Sequence, residues 1–106
     1  MPEKFYEKIL NELTKIVIFF NTENGMVTRF VVKLIFLVNN EWREVQRYDC
    51  YHDSVHKDVF DLNGRKMRQI KYELVDIPSG LTMAIEDFTE NYDSIIWRYL
   101  YDKKKR

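Results

Sequence analysis

The stretch RYDCYHDSVHKD, residues 47 to 58, holds both histidines of the chain, its one cysteine, an arginine and three aspartates. These are groups that transfer protons, hold ions or neutralise charge. If the strand EWREVQRYD runs through Asp49, alternation points Arg47 and Asp49 to one face and Tyr48 to the other. On the strand that follows, His56 and Asp58 share a face, so Asp49 can approach either of them from the neighbouring strand. A carboxylate on one imidazole nitrogen fixes the tautomer and raises basicity, as a general base requires. Arg47 would neutralise charge developing on phosphorus, and Tyr48 or Tyr51 would stack on a base or donate a hydrogen bond. With His52 and His56 as acid and base, this is a kit for metal-independent RNA cleavage. The candidate catalytic residues are therefore Arg47, Tyr48, Asp49, His52, His56 and Asp58, with no cofactor expected.

The same atoms allow other chemistry. His52 and His56 are spaced H-x-x-x-H with Asp58 beyond them, a donor set that suits a divalent metal. That spacing converges reliably on a helix, whereas this stretch reads as loop and strand. Cys50 is flanked by Asp49, with Asp53 nearby, and acids oppose the thiolate a nucleophile needs. An arginine–aspartate network beside a histidine also has a purely structural reading, in which it satisfies polar groups where a strand turns.

The elements that must position these residues follow from patterning. Pro2 suits a first helical turn, and Phe5, Ile9 and Leu13 recur at i, i+4, i+8, which predicts a short N-terminal helix. IVIFF, at 16 to 20, reads as a strand, and NTENG as a turn. VTRFVVKLIFLV is apolar on both faces, with Phe30, Val32, Leu34, Phe36 and Val38 on one side and Val31, Ile35 and Leu37 on the other. Such a strand belongs inside a sheet covered twice. Asn39-Asn40 turns into EWREVQRYD, where the spacing of Trp42, Val45 and Tyr48 predicts a bulge. Asn63-Gly64 is a strong hairpin signal between VHKDVFDL and RKMRQIKYEL. A longer C-terminal helix is expected from near Leu81, capped by Ser79 or Thr82. The expected fold is therefore α+β: a five-stranded antiparallel meander between two helices, α-β-β-β-β-β-α. Two helices are few for a sheet that is apolar on both sides, which predicts a homodimer.

At 106 residues the chain is expected to form one domain, residues 1–106, with a basic tail at 102–106. Seventeen basic and seventeen acidic residues balance, so no bulk charge selects a partner. A single cysteine excludes an internal disulfide, and no apolar run approaches the ~20 residues of a membrane span. The expected location is the cytoplasm. Phosphate-loop, dinucleotide-binding, C-x-x-C and nucleophile-elbow signatures are absent from the sequence.

The pattern R-Y-D-x-x-H-x-x-x-H-x-D resembles a family of small archaeal and bacterial proteins of uncharacterised activity. The shared positions are Trp42, Val45, Arg47, Tyr48, Asp49, His52, His56, Asp58, Asn63, Gly64, Ala84 and Asp87. More distantly, the order of strand, Y-D-N, loop, H-x-H, strand and helix is similar to the toxin half of TumE-type toxin–antitoxin pairs. Here Cys50 stands in place of the Asn, and His56-Lys57-Asp58 in place of H-x-H. That resemblance implies an RNA or nucleotide substrate and an antitoxin-like protein partner. The leading expectation is a small RNA-binding or RNA-cleaving protein using Asp49, His52 and His56. The alternatives are a non-enzymatic homodimeric interaction module and a metal-dependent enzyme using His52, His56 and Asp58.

Overall fold

The structure, a computed structural model, describes residues 3–50 and 54–101. Among the described residues six strands precede one helix: β1 (Glu3–Asn11), β2 (Thr14–Glu23), β3 (Met26–Val38), β4 (Glu41–Asp49), β5 (Val55–Phe60), β6 (Lys66–Tyr72) and α1 (Ile77–Tyr101). The strands form one antiparallel sheet in the order β1-β2-β3-β4-β5-β6. Local turn chemistry sets this order. Asn24 and Gly25 take φ of 53° and 79° between β2 and β3, and Asn39 and Asn40 take 51° and 65° between β3 and β4. Paired positive φ values give the turn whose twist matches the flanking strands. Between β5 and β6, Gly64 takes φ 82°, and the Asp61 carboxylate accepts from the backbone N–H of Asn63 and Arg65.

Two expectations fail here. Residues 3–11 are a strand and not a helix, so the sheet has six strands and not five. A spacing of four fits one face of a helix, but it is also a multiple of two, so Phe5, Ile9 and Leu13 do not discriminate. What decides is pairing with β2: Phe5 lies opposite Phe19 with ring centroids 4.9 Å apart, and Tyr6 is stacked on Phe20 at 6.0 Å. The turn into β2 is closed by Asn11, whose side-chain oxygen accepts from Leu13 N–H at 2.8 Å. The helix also begins earlier than expected, at Ile77. Its cap is Asp76, whose carboxylate accepts from Ser79 N–H at 2.8 Å. That backbone hydrogen bond holds the Asp76 carboxyl below its ordinary range. Pro78-Ser79-Gly80 is thus the first helical turn, where proline is tolerated.

The helix covers one face of the sheet. Ile16, Ile18, Phe30, Val32, Leu34, Val45, Tyr48 and Val55 meet Leu81, Ala84, Phe88, Ile95 and Ile96 in the core. The bulge expected in β4 falls at Val45: Leu34 pairs with Gln46 and Ile35 with Glu44, which leaves Val45 as the extra residue, 1% exposed. Gly80 lets the helix start approach the sheet. A Cβ there would lie 2.7 Å from Val55 Cγ2 and 3.1 Å from Phe30 Cζ. Gly80→Ala should therefore cost about 1–3 kcal/mol through overpacking, against the usual gain from glycine to alanine in a helix. Urea unfolding reads this directly, and a stability equal to or above wild type would show that the helix start is not closely packed.

Candidate functional site

Strand pairing lines up two adjacent cross-strand rungs on the face opposite α1. One runs Glu7, Val17, Lys33, Arg47, Asp58, Gln69 across all six strands. The other runs Phe5, Phe19, Val31, Asp49, His56, Lys71. The second is apolar on β1–β3, and both are polar from β4 onwards. The site sits at that change.

His56 Nε2 lies 2.6 Å from Asp49 Oδ1. The N–H does not aim at that oxygen: Oδ1 is buried without an aligned hydrogen bond. We therefore read the pair as a close polar contact that holds the ring. Arg47 is the hub of the cluster. Its Nη2 donates to Asp58 Oδ2 at 3.1 Å, and Nε and Nη1 stand 3.4 Å from Asp49 Oδ2 and Glu44 Oε2. The guanidinium also lies 5.5 Å from the Phe60 ring centroid. Asp58 is 1% exposed; its Oδ1 accepts from Gln69 at 2.9 Å, and Lys66 stands 3.5 Å from Oδ2. Burial would raise the Asp58 carboxyl, but the hydrogen bonds from Gln69 and Arg47 and the charge of Lys66 outweigh it and hold it below the usual range. Asp58 is thus an ionised anchor.

Arg47, Asp49, His56 and Asp58 are brought together as one cluster. Tyr48 faces the other way, into the core. Its hydroxyl donates to Asp87 Oδ2 at 2.6 Å, where Lys57 also donates at 3.0 Å, and Asn91 donates to Oδ1 at 2.8 Å. Burial first, and then Asp87, push the Tyr48 phenol well above its ordinary value, so it is a neutral donor. Tyr48 and Ala84 therefore dock the helix: Ala84 is fully buried, and Asp87 one turn on receives the sheet's two donors. His52, with Tyr51 and Asp53, lies outside the described residues.

Glu44, Lys66, Gln69 and Lys71 belong to the same neighbourhood and were not among the candidates. A readable signal existed for two of them. A hairpin centred on Asn63-Gly64 pairs residues whose numbers sum to 127, which places Gln69 opposite Asp58 and Lys71 opposite His56. Glu44 could not be placed this way, because the Val45 bulge shifts the register.

Asp87 carries a pH prediction. Burial would raise its carboxyl, but hydrogen bonds from Tyr48, Asn91 and Lys57 hold it below the ordinary range. A depressed folded-state value stabilises fully above the unfolded pKa of about 4, and the contribution is lost as pH falls through the lower folded value. Asp87→Asn should thus cost about 1–2 kcal/mol at pH 7 and make the fall in stability below pH 4 shallower than in wild type. Urea midpoints between pH 2.5 and 7 check this, and parallel curves for both proteins would contradict it.

Ligand atoms of Asp49, His56 and Asp58 all lie within 4.8 Å of one another. They do not fit a divalent ion as they stand. Two tetrahedral zinc ligands at about 2.1 Å are roughly 3.3 Å apart, so the 2.6 Å contact would have to open. The Arg47 guanidinium, already against Asp49 and Asp58, would have to leave. No helix among the described residues is long and apolar enough to cross a membrane.

No curated protein and no solved structure matches the chain. A family match does exist, and it spans residues 1–105, covering every strand, the helix and the whole Arg47–Asp58 cluster. The chain belongs to that family, described as Domain of unknown function (DUF7718).

Proposed function

We propose that the face opposite the helix binds a phosphate ester, a single strand of RNA, and that His56 transfers a proton in its cleavage. The observation that carries this reading is the Asp49–His56 contact at 2.6 Å on a rung that ends in Lys71. Lys33, Arg47, Lys66 and Lys71 share that face, and Arg65, just before β6, and Arg68, in that edge strand, are exposed. A cationic rim around a carboxylate-held imidazole attracts a phosphodiester and repels a metal dication. The likeness of the motif to TumE-type toxins points to the same substrate class.

Asp49 holds Nε2, which leaves Nδ1 for the substrate. His56 takes the proton of a ribose 2′-hydroxyl as that oxygen bonds to phosphorus. The P–O5′ bond then breaks, giving a 2′,3′-cyclic phosphate and a 5′-hydroxyl. In this reading His52 returns a proton to the leaving oxygen, and Lys71 stabilises charge on the phosphoryl oxygens. The test is incubation of the full chain with a labelled single-stranded RNA in excess chelator. Cleavage to cyclic phosphate ends, blocked by 2′-deoxy substitution at the cut site, is expected. An intact RNA under chelator that is cut only on adding zinc or manganese would overturn it in favour of the metal reading.

A further inference from the structure

On the helix side of the sheet, far along α1 from its cap, an open groove of about 480 Å³ separates the β1–β2 turn from the last turns of the helix. Four of its walls are aromatic: Phe36 from β3, and Tyr92, Trp97 and Tyr101 from α1. Trp97 is 61% exposed and Tyr101 54%, with ring centroids 5.5 Å apart and planes at 48°. Among the described residues the groove's charged lining is acidic, Glu12 from the turn and Asp93 from the helix. Neither acid forms an ion pair among the described residues.

Large aromatic rings left in water at a cost, beside two acids with no cation among the described residues, describe a site for a cation. A ring face attracts a guanidinium or ammonium through its quadrupole, and a flanking carboxylate adds a charge-assisted hydrogen bond. A groove open along its length admits the stem of a long side chain with the backbone outside. We infer that this groove receives an arginine or lysine side chain from a basic segment of a partner protein. An anionic segment is disfavoured by both carboxylates, and a purely apolar one would bury them unpaired. The site is separate from the Asp49–His56 face and does not depend on it.

The test is titration of the full chain with an acetylated tetra-arginine peptide, followed by the indole N–H signal of Trp97 in a ¹H–¹⁵N spectrum. Saturable movement of that signal, weaker at high salt, is expected. Glu12→Gln with Asp93→Asn should weaken binding at least tenfold, while the unfolding midpoint stays near wild type because both acids are exposed. Trp97→Ala should weaken it similarly, read by calorimetry. Three results would overturn the inference: equal binding of a tetra-glutamate peptide, shifts that map away from Trp97 and Tyr101, or full affinity in the doubly neutralised protein. Movement of the Trp97 signal with protein concentration alone would assign the groove to a second copy, and would overturn it too.

Discussion

Arg47→Met is expected to destabilise the protein by about 3 kcal/mol, although methionine matches much of the arginine stem. Glu44, Asp49 and Asp58 surround the guanidinium at 3.4, 3.4 and 3.1 Å. Removing it leaves three acids together, one of them 1% exposed, with Lys66 as the remaining cation against Asp58. Removing one partner of a buried pair costs about 3–5 kcal/mol because a charge is left uncompensated. The lower figure applies because the Arg47 side chain keeps 29% of its exposure. The loss should shrink as pH falls below about 4, where wild type loses the contribution of its depressed Asp58 carboxyl, so Arg47→Met gains on wild type there. It should also be recovered in part by Asp58→Asn in the same chain, since neutralising the anchor removes the uncompensated charge. Urea unfolding of the single and double variants reads both effects. Additive losses would mean that Arg47 and Asp58 are not coupled.

His56→Asn is expected to lower RNA cleavage by about 10²–10⁴-fold, the usual contribution of a positioned acid or base. The fold should lose far less, on the order of 1 kcal/mol, because the ring makes a polar contact with Asp49 but no aligned hydrogen bond to it. The separation of these two effects is the informative quantity. Asp49→Asn should sit between the extremes: the ring keeps a neighbour of the same shape but loses the carboxylate charge facing Nε2. A His56 variant that loses stability in proportion to activity would instead mark the histidine as a structural member of the network.

Much of this cluster is legible in the sequence. Strand alternation places Arg47 and Asp49 on one side and Tyr48 on the other, and a short connection brings Asp49 opposite His56. Asn63-Gly64 fixes the next register, and with it Lys71 and Gln69. Three things were not legible. Phe5, Ile9 and Leu13 fit a strand as well as a helix, and only pairing with Phe19 and Phe20 resolves them. Asp76 is one residue outside a helix whose proline and glycine look like a break, so its capping role is hidden by Pro78 and Gly80. Asp87 looks like part of a solvated acidic face until the sheet supplies Tyr48 and Lys57 as donors. In each case a long-range contact overrides a local pattern. The site was more legible than the fold's first element because it depends on strands set by strong turns.

The expected homodimer rests on the same doubly apolar strand. With α1 on one side, Val17, Phe19, Val31 and Ile35 lie on the face it leaves open, and Phe5 and Trp42 on that face are 53% and 43% exposed. We propose that a second copy of the chain packs against this apolar part of the face, beside the ionisable cluster.

The most direct test of the central claim is the long-range ¹H–¹⁵N spectrum of the His56 imidazole during titration with a non-cleavable 2′-deoxy-substituted RNA strand. Saturable movement of the His56 ring nitrogens is expected, together with the Lys71 amide on the facing strand. A strand that binds only through the basic edge of β6 and leaves the His56 nitrogens unmoved would contradict the account.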